Sequence, residues 1–325
     1  MSKAIRIHET GGPEVLRWEN ADIRDPGAGE VLLQQTAVGL NFIDTYHRSG
    51  LYPVEALPSG IGMEGAGVVE KLGSDVAELR VGDRVAYAGG PIGSYAEQRT
   101  MPVSRLVKLP DSIEDSQAAA LMLKGLTTQY LLRGCYPVKA GDTILIHAAA
   151  GGVGLMVCQW ANYLGATVIG TVGSPEKAEL AAAHGCHHTI LYREENFAER
   201  VRELTDGVGV PVVYDSVGRD TFDGSLDCLR PLGLMVTFGQ SSGSVPPVAV
   251  HELTAHGSLF LTRPTLATYT ATREQLDANA GELFDVVGKG VVKVKINQTY
   301  PLERAEQAHR DLEGRKTTGA TVLDV

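Results

Sequence analysis

The chain contains no apolar run long enough to cross a bilayer, no internal repeat and no low-complexity segment. A spanning helix needs about 20 apolar residues in succession, so no such helix is expected. The first residues, Met1-Ser2-Lys3-Ala4-Ile5-Arg6, lead straight into strand-like sequence. No signal peptide is therefore expected, and the expected compartment is the cytoplasm. Positive charge is in deficit: 29 Lys and Arg against 39 Asp and Glu give a formal charge of -10. That balance argues against nucleic acid or an anionic membrane as the main partner. Cysteine is scarce, with four residues at 135, 158, 186 and 228 and no Cys-x-x-Cys arrangement. Reduced, buried thiols are the expectation over disulfides or a structural zinc. Cys186-His187-His188 resembles a ligand cluster, but adjacent residues of an entering strand point to opposite faces.

What is present is the material of a soluble globular protein: 325 residues, 43% hydrophobic and 21% charged. Residues 125–262 alternate β-rich and helical runs. Strands are expected at Thr143–His147, Thr167–Thr171, His188–Leu191, Pro211–Asp215, Leu234–Phe238 and Ser258–Thr262. Helices are expected near 153–164, 175–184, 195–204 and 219–229. Apolar runs such as Ile144-Leu145-Ile146 suit strands buried on both faces, and short helical connections demand a right-handed parallel sheet. The expectation is an α/β domain with a doubly wound, six-stranded parallel sheet.

Within it, Ala148-Ala149-Ala150-Gly151-Gly152-Val153-Gly154 joins the first strand to the first helix. A buried strand, a glycine turn and a helix N-terminus in that order make a diphosphate site, because backbone comes close and unpaired N–H groups face the anion. Gly151, Gly152 and Val153 are the expected cradle.

Residues 1–124 read differently. Strand-like runs recur between turn glycines and prolines, as in Val31–Gln35, Gly67–Lys71 and Asp83–Tyr87, and indicate a β-rich, partly open barrel. The tail, 263–325, offers a helix (Arg273–Val287), a strand (Val292–Ile296), a helix (Leu302–Glu313) and a last strand (Ala320–Leu323). It is too short for a third domain and is expected to complete the N-terminal one.

The chain resembles the medium-chain dehydrogenase/reductase superfamily, and within it the quinone oxidoreductases related to ζ-crystallin. The resemblance spans essentially the whole length. It is carried by Gly12–Leu16, Asn41-Phe42-Ile43-Asp44, Arg48-Ser49-Gly50-Leu51-Tyr52-Pro53, Gly65–Val69, Val81–Val85, Gly93–Glu97, the Ala148–Gly154 loop, Tyr214–Gly218 and Arg263-Pro264. It implies that the β-rich domain is GroES-like. In the zinc alcohol dehydrogenases of the superfamily, a cysteine ligand stands where this chain has Asn41, and Gly-His-Glu corresponds to Gly62-Met63-Glu64. Neither Asn41 nor Met63 offers a thiolate or an imidazole, so no metal is expected, and alcohol oxidation by a Lewis acid is disfavoured.

An NAD-preferring site places a carboxylate about 20 residues after the glycine loop. Here Gly173 and Ser174 close the second strand, followed by Pro175-Glu176-Lys177. Ser174 stands in place of the acid and Lys177 follows one turn on, which favours a 2′-phosphate and hence NADPH. Glu176 allows the opposite reading, in which it binds a ribose. The resemblance brings Tyr192 and Arg315 to the same phosphate and places Gly239, Gln240 and Ser241 on the nicotinamide side.

Polar candidates for the reaction centre are Asn41, Tyr46 and Tyr52, with Asp44, Lys124 and Arg263 besides. Asn41 and Arg263 also count as cofactor-binding. Nothing forms a Ser-His-Asp or Cys-His set. Asn41 and Tyr46 would orient nicotinamide or acceptor, and Tyr52 would line the pocket or donate a proton. Aromatic packing is an equal reading for both tyrosines. The resulting expectation is a zinc-independent NADPH:quinone oxidoreductase, with semiquinone release added by the resemblance. An NADPH-dependent reductase of activated C=C bonds, in enones or enoyl thioesters, is the enzymatic alternative. A crystallin-like or RNA-binding protein with little turnover is the alternative from another class. Superfamily relatives pair the last strands of their cofactor domains, so a homodimer across Ser258–Thr262 is expected.

Overall fold

The computed structural model describes residues 2–325, in two compact units. One comprises the segment ending at Leu126 with Thr270–Gly281 and Val294–Val325; the other comprises Thr127–Tyr269 with Glu282–Lys293. Among the described residues, no helix is long and apolar enough to cross a membrane.

The second unit is built on six parallel strands: β1 (Thr143–Ile146), β2 (Thr167–Val172), β3 (His188–Leu191), β4 (Val210–Asp215), β5 (Leu229–Thr237) and β6 (Phe260–Thr262). Their order is β3-β2-β1-β4-β5-β6, that of a doubly wound dinucleotide fold. Between them run α1 (Gly152–Tyr163), α2 (Pro175–Ala182), α3 (Phe197–Leu204), α4 (Phe222–Cys228) and the short α5 (Val250–Ala255). The apolar strands are buried throughout: β4 has no exposed residue, and Ile144, Leu145 and Ile146 are inaccessible. Asn196 starts α3 by accepting the Ala198 and Glu199 amides, and Pro175 starts α2 at a position whose N–H has no helical partner.

The starts of β5 and β6 differ from expectation by more than one residue, and each lies near a left-handed residue. Leu232 and Ser258 both lie in the left-handed region, at φ 61 and 58. A left-handed residue interrupts extended pairing. β6 therefore begins only at Phe260, and β5, which begins at Leu229, shifts register across Leu232 before pairing resumes at Leu234.

In the first unit, Glu30–Leu40 pairs with Glu64–Leu72, Gln98–Pro102 and the C-terminal strand Ala320–Asp324, all antiparallel. Arg84–Ala88, Val107–Lys108 and Ile296–Pro301 complete this sheet, and Ser2–Ile7 forms a smaller one with Arg17–Ala21 and Ser59–Gly60. One core takes Ile5, Val38 and Ile61 from the start of the chain and Leu302, Ala308 and Leu323 from its end. The strand expected at Val292–Ile296 lies instead at Ile296–Pro301. The Val291 and Val292 amides bond back to the Val286 carbonyl, which holds that stretch to the end of the helix Arg273–Gly288. The expected helix Leu302–Glu313 divides into a 3-10 turn, Leu302–Arg304, and an α-helix, Ala305–Glu313.

Candidate active site

The β1–α1 turn is tight enough to require Gly154. Ala148 sits at φ 54, and a Cβ on Gly154 would collide with the Ala148 carbonyl oxygen and lie 2.7 Å from the Ala149 Cα. Gly151 caps α1 without a side-chain bond, and the first turn carries no acidic residue. The leading N–H groups of a helix have no partner within it, so this turn presents donors and positive dipole with no local carboxylate to repel a diphosphate.

At the end of β2, Ser174 is the N-cap of α2, its hydroxyl accepting the Lys177 amide at 3.4 Å. Tyr192 lies beside the preceding Gly173, where a Cβ would be 3.2 Å from the Tyr192 hydroxyl. The structure thus brings Gly173, Ser174, Lys177 and Tyr192 to one corner. Glu176 is exposed, as expected of a first-turn carboxylate, but it also bonds Ser174, and that bond holds its carboxyl below the usual range. Arg193, outside the expected set, holds its guanidinium 6.0 Å from the centre of the Tyr192 ring. Its place directly after Tyr192 was the available signal. Arg315 belongs to the other unit, at φ 59, where its amide bonds Leu312 beyond the helix Ala305–Glu313.

The loops after β4 and β5 are braced together. Asp215 is inaccessible and accepts the Val217 and Gly218 amides and the Thr221 hydroxyl. Gly239 packs against Ser216, where a Cβ would come within 2.6 Å of the carbonyl oxygen, and the Ser241 amide donates to that oxygen at 3.2 Å. Arg263 donates to the Thr237 carbonyl, the Thr237 hydroxyl and the Gly239 carbonyl. Its visible work is to hold the stretch that carries Gly239, Gln240 and Ser241.

In the first unit the polar centre is Glu64, which the sequence reasoning did not single out. Its carboxylate is inaccessible and accepts from the Asn41 side chain at 2.8 Å, Lys124 at 3.0 Å and the Leu123 amide at 2.7 Å. Lys124, a polar candidate on sequence, is half of this buried ion pair. The signal was the Gly62-Met63-Glu64 match, in which the glutamate persists while the neighbouring ligand does not.

Asp44 accepts the Asn41 amide and the Tyr95 hydroxyl, each at 2.9 Å. Burial pushes its carboxyl up to about 7 against those two bonds. Arg48 donates to Nδ1 of His309, leaving Nε2 to donate to Tyr95, and burial drives His309 down to about 3. Asp44 is thereby a buried structural group. Tyr46 and Tyr52 pack edge to face with centroids 5.2 Å apart, and the Tyr52 amide donates to the Tyr46 carbonyl. Packing is therefore seen for both tyrosines.

The donor set does not fit zinc. Asn41 spends its amide nitrogen on Glu64, Met63 offers a thioether, and among the described residues no three His, Cys, Asp or Glu side chains are grouped to hold a metal. Purified protein should carry no stoichiometric zinc by elemental analysis, and chelators should leave turnover unchanged. One tightly bound, turnover-dependent zinc per chain would overturn this.

Residues 27–111 match the alcohol dehydrogenase GroES-like domain family, and residues 152–275 match the zinc-binding dehydrogenase family. The chain is 56% identical over 323 residues to a quinone oxidoreductase of Pseudomonas aeruginosa, covering 99% of both. It is 48% identical over 329 residues to the 2-haloacrylate reductase of a Burkholderia species, again covering 99% of both. Among solved structures, Escherichia coli quinone oxidoreductase complexed with NADPH matches with a TM-score of 0.98 at 49% identity, over 99% of this chain and 100% of that one. A doubly wound dinucleotide fold joined to a GroES-like domain defines the medium-chain dehydrogenases and reductases. The chain belongs to the quinone oxidoreductase family of that superfamily.

Proposed function

We propose that this protein transfers reducing equivalents from NADPH to a quinone without a metal ion. The observation that carries the reading is the near-full-length likeness to the Escherichia coli quinone oxidoreductase complexed with NADPH. The bound cofactor supplies a hydride at the nicotinamide C4. The Gly151–Val153 turn holds the diphosphate, and Gly173, Ser174, Lys177 and Tyr192, with Arg315, receive the 2′-phosphate. Gly239, Gln240 and Ser241, braced by Arg263, line the nicotinamide side. Asn41, fixed by Glu64, and Tyr46 orient the reacting partners, while Tyr52 lines the acceptor pocket or supplies a proton. The domain division proposed with this reading is 1–124 with 263–325 for the catalytic part and 125–262 for the cofactor part.

The likeness to a 2-haloacrylate reductase favours reduction of activated C=C bonds as a second reading. A steady-state screen of NADPH oxidation separates the two. 1,4-Benzoquinone or a naphthoquinone should be turned over, and ethanol and acetone should be inert. Activity confined to 2-haloacrylate, enones or enoyl thioesters would replace the first reading by the second, and robust ethanol turnover would sink both. Spin resonance during turnover reports whether the quinone leaves with one electron or two.

The proposal includes a cytoplasmic homodimer joined through the cofactor units. β6 is the edge of the six-stranded sheet, with Phe260 60% and Leu261 37% exposed. An apolar edge with unpaired backbone groups is a template for a second copy. Light scattering at micromolar concentration should give the mass of a dimer, and a monomer would count against the interface.

A further inference from the structure

Beneath the glycine turn lies a buried histidine that none of the roles above uses. His147 directly follows β1 and directly precedes Ala148, the left-handed residue that opens the turn. It is 1% exposed, and both ring nitrogens are engaged. Nδ1 lies 2.9 Å from the Thr171 hydroxyl in β2, and Nε2 lies 2.9 Å from the Ser225 hydroxyl in α4. The Phe197 ring meets the imidazole edge to face, with centroids 5.0 Å apart. The main chain is tied at the same place: the His147 amide donates to the Tyr214 carbonyl, and the Ala149 amide donates to the Thr171 carbonyl.

Proton counting fixes the direction of each bond. Ser225 has one hydroxyl proton and donates it to the Thr221 carbonyl at 2.7 Å, so towards His147 it accepts. Nε2 therefore carries the ring proton. Burial holds the imidazole below its ordinary range, against the pull of Asp215, and so keeps it neutral. Nδ1 is then a bare acceptor, to which the Thr171 hydroxyl donates. Beyond Ser225 the bonds continue. Thr221 donates its hydroxyl to Asp215, whose carboxylate holds the Val217 and Gly218 amides. Ser216, inside that loop, accepts the Ser241 amide. One line of contacts thus runs from the end of β2, just before Gly173 and Ser174, to the loop that carries Gly239, Gln240 and Ser241.

On the NADPH reading proposed above, we infer that His147 is a positioning residue for the cofactor. It sets the spacing between the 2′-phosphate corner and the nicotinamide side by holding β2 and α4 to the end of β1. Doubly wound folds bind their ligands beyond the carboxyl ends of the strands, where a shifted strand end displaces the loop that it carries. A leucine or phenylalanine would fill the space, but neither accepts a proton on one side and donates one on the other. The two halves of the line then serve different ends of the cofactor. The Thr171 contact steadies the strand that leads to Ser174, and the Ser225 contact steadies the helix behind Asp215 and Ser216.

Two variants cut the line on either side of the ring. Thr171→Val keeps the shape and removes the donor to Nδ1, and Ser225→Ala removes the acceptor from Nε2. One such bond is worth about a three- to tenfold effect on its own side. Thr171→Val should raise the NADPH dissociation constant by that factor, leaving kcat at saturating NADPH near that of the wild type. Ser225→Ala should do the reverse, lowering kcat with little change in binding. His147→Leu should combine both losses. Fluorescence titration of NADPH and steady-state kinetics, with an acceptor that the wild type turns over, read the two quantities. Circular dichroism checks that each variant is folded at the assay temperature. Folded variants with wild-type binding and kcat would overturn the inference. So would equal losses of both quantities in Thr171→Val and Ser225→Ala, the mark of general loosening. These two variants decide the matter if His147→Leu does not fold. A wild type that binds no NADPH would overturn the cofactor reading, and this inference with it.

Discussion

Lys124→Met destabilises the protein by about 3–5 kcal/mol, the usual cost of removing one partner from a buried ion pair. Glu64 is inaccessible, and Lys124 is its only cationic partner in an ion pair among the described residues. Methionine keeps most of the side-chain volume, so the loss reports charge and not a cavity. The Asn41 and Leu123 donors remain, but two neutral hydrogen bonds do not replace a cation. Glu64→Gln is costly too, because it leaves the lysine buried opposite an amide. The double variant Lys124→Met with Glu64→Gln should regain much of the loss, since replacing both members of a buried pair is often nearly neutral. A double-mutant cycle on urea unfolding therefore shows strong coupling between the two positions. A Lys124→Met loss below about 1 kcal/mol, with additive single effects, would show that this pair does not hold the first unit together.

The consequence extends to turnover. Asn41 is a proposed orienting residue, and its amide nitrogen is aimed by the same carboxylate oxygen that Lys124 contacts. Once Glu64 is disturbed, the loss at the reaction centre follows from misplacement of Asn41 and requires no contact of Glu64 with the acceptor.

That hub was not legible in the sequence, and the reason is physical. Its members stand at positions 41, 64, 123 and 124, and only folding brings them together. The parallel sheet was legible because strands buried on both faces write their burial as continuous apolar runs, such as Ile144-Leu145-Ile146. The start of β6 and the register shift within β5 were not, because Ser258 and Leu232 adopt left-handed backbone that neither residue type favours. The shifted tail strand depends on the amides of Val291 and Val292 turning back to Val286, a local choice that apolar character does not announce. In the glycine turn, by contrast, residue type and backbone requirement coincide. The collision awaiting a side chain at Gly154 is what its glycine anticipates. Tyr192 could be named through resemblance and Arg193 only through its place next to it, its guanidinium over the ring emerging with the fold.

Lys177→Ala should weaken NADPH by about one to two orders of magnitude and leave NADH nearly unchanged. The added phosphate is largely dianionic at neutral pH, and a hydrogen bond to a charged group contributes roughly 1.5–3 kcal/mol. Alanine is a strong helix former, so the change on α2 removes the cation without weakening the helix. Ser174→Asp goes further. Serine caps α2 by accepting the Lys177 amide, and aspartate caps as well as serine does, so the fold is retained while a negative charge is placed beside the phosphate. The same carboxylate offers an acceptor to the ribose diol of NADH, so the preference should narrow or reverse. Titrating both cofactors into wild type and the two variants measures this directly. Glu176→Gln supplies the decisive control, because Glu176 is exposed and bonded to Ser174, the position from which a carboxylate would serve a ribose. On the NADPH reading this variant relieves repulsion, and NADPH binds as well or better. Equal wild-type affinity for the two cofactors, joined to a loss of NADH binding in Glu176→Gln, would assign the corner to the ribose and remove Ser174 and Lys177 from phosphate recognition.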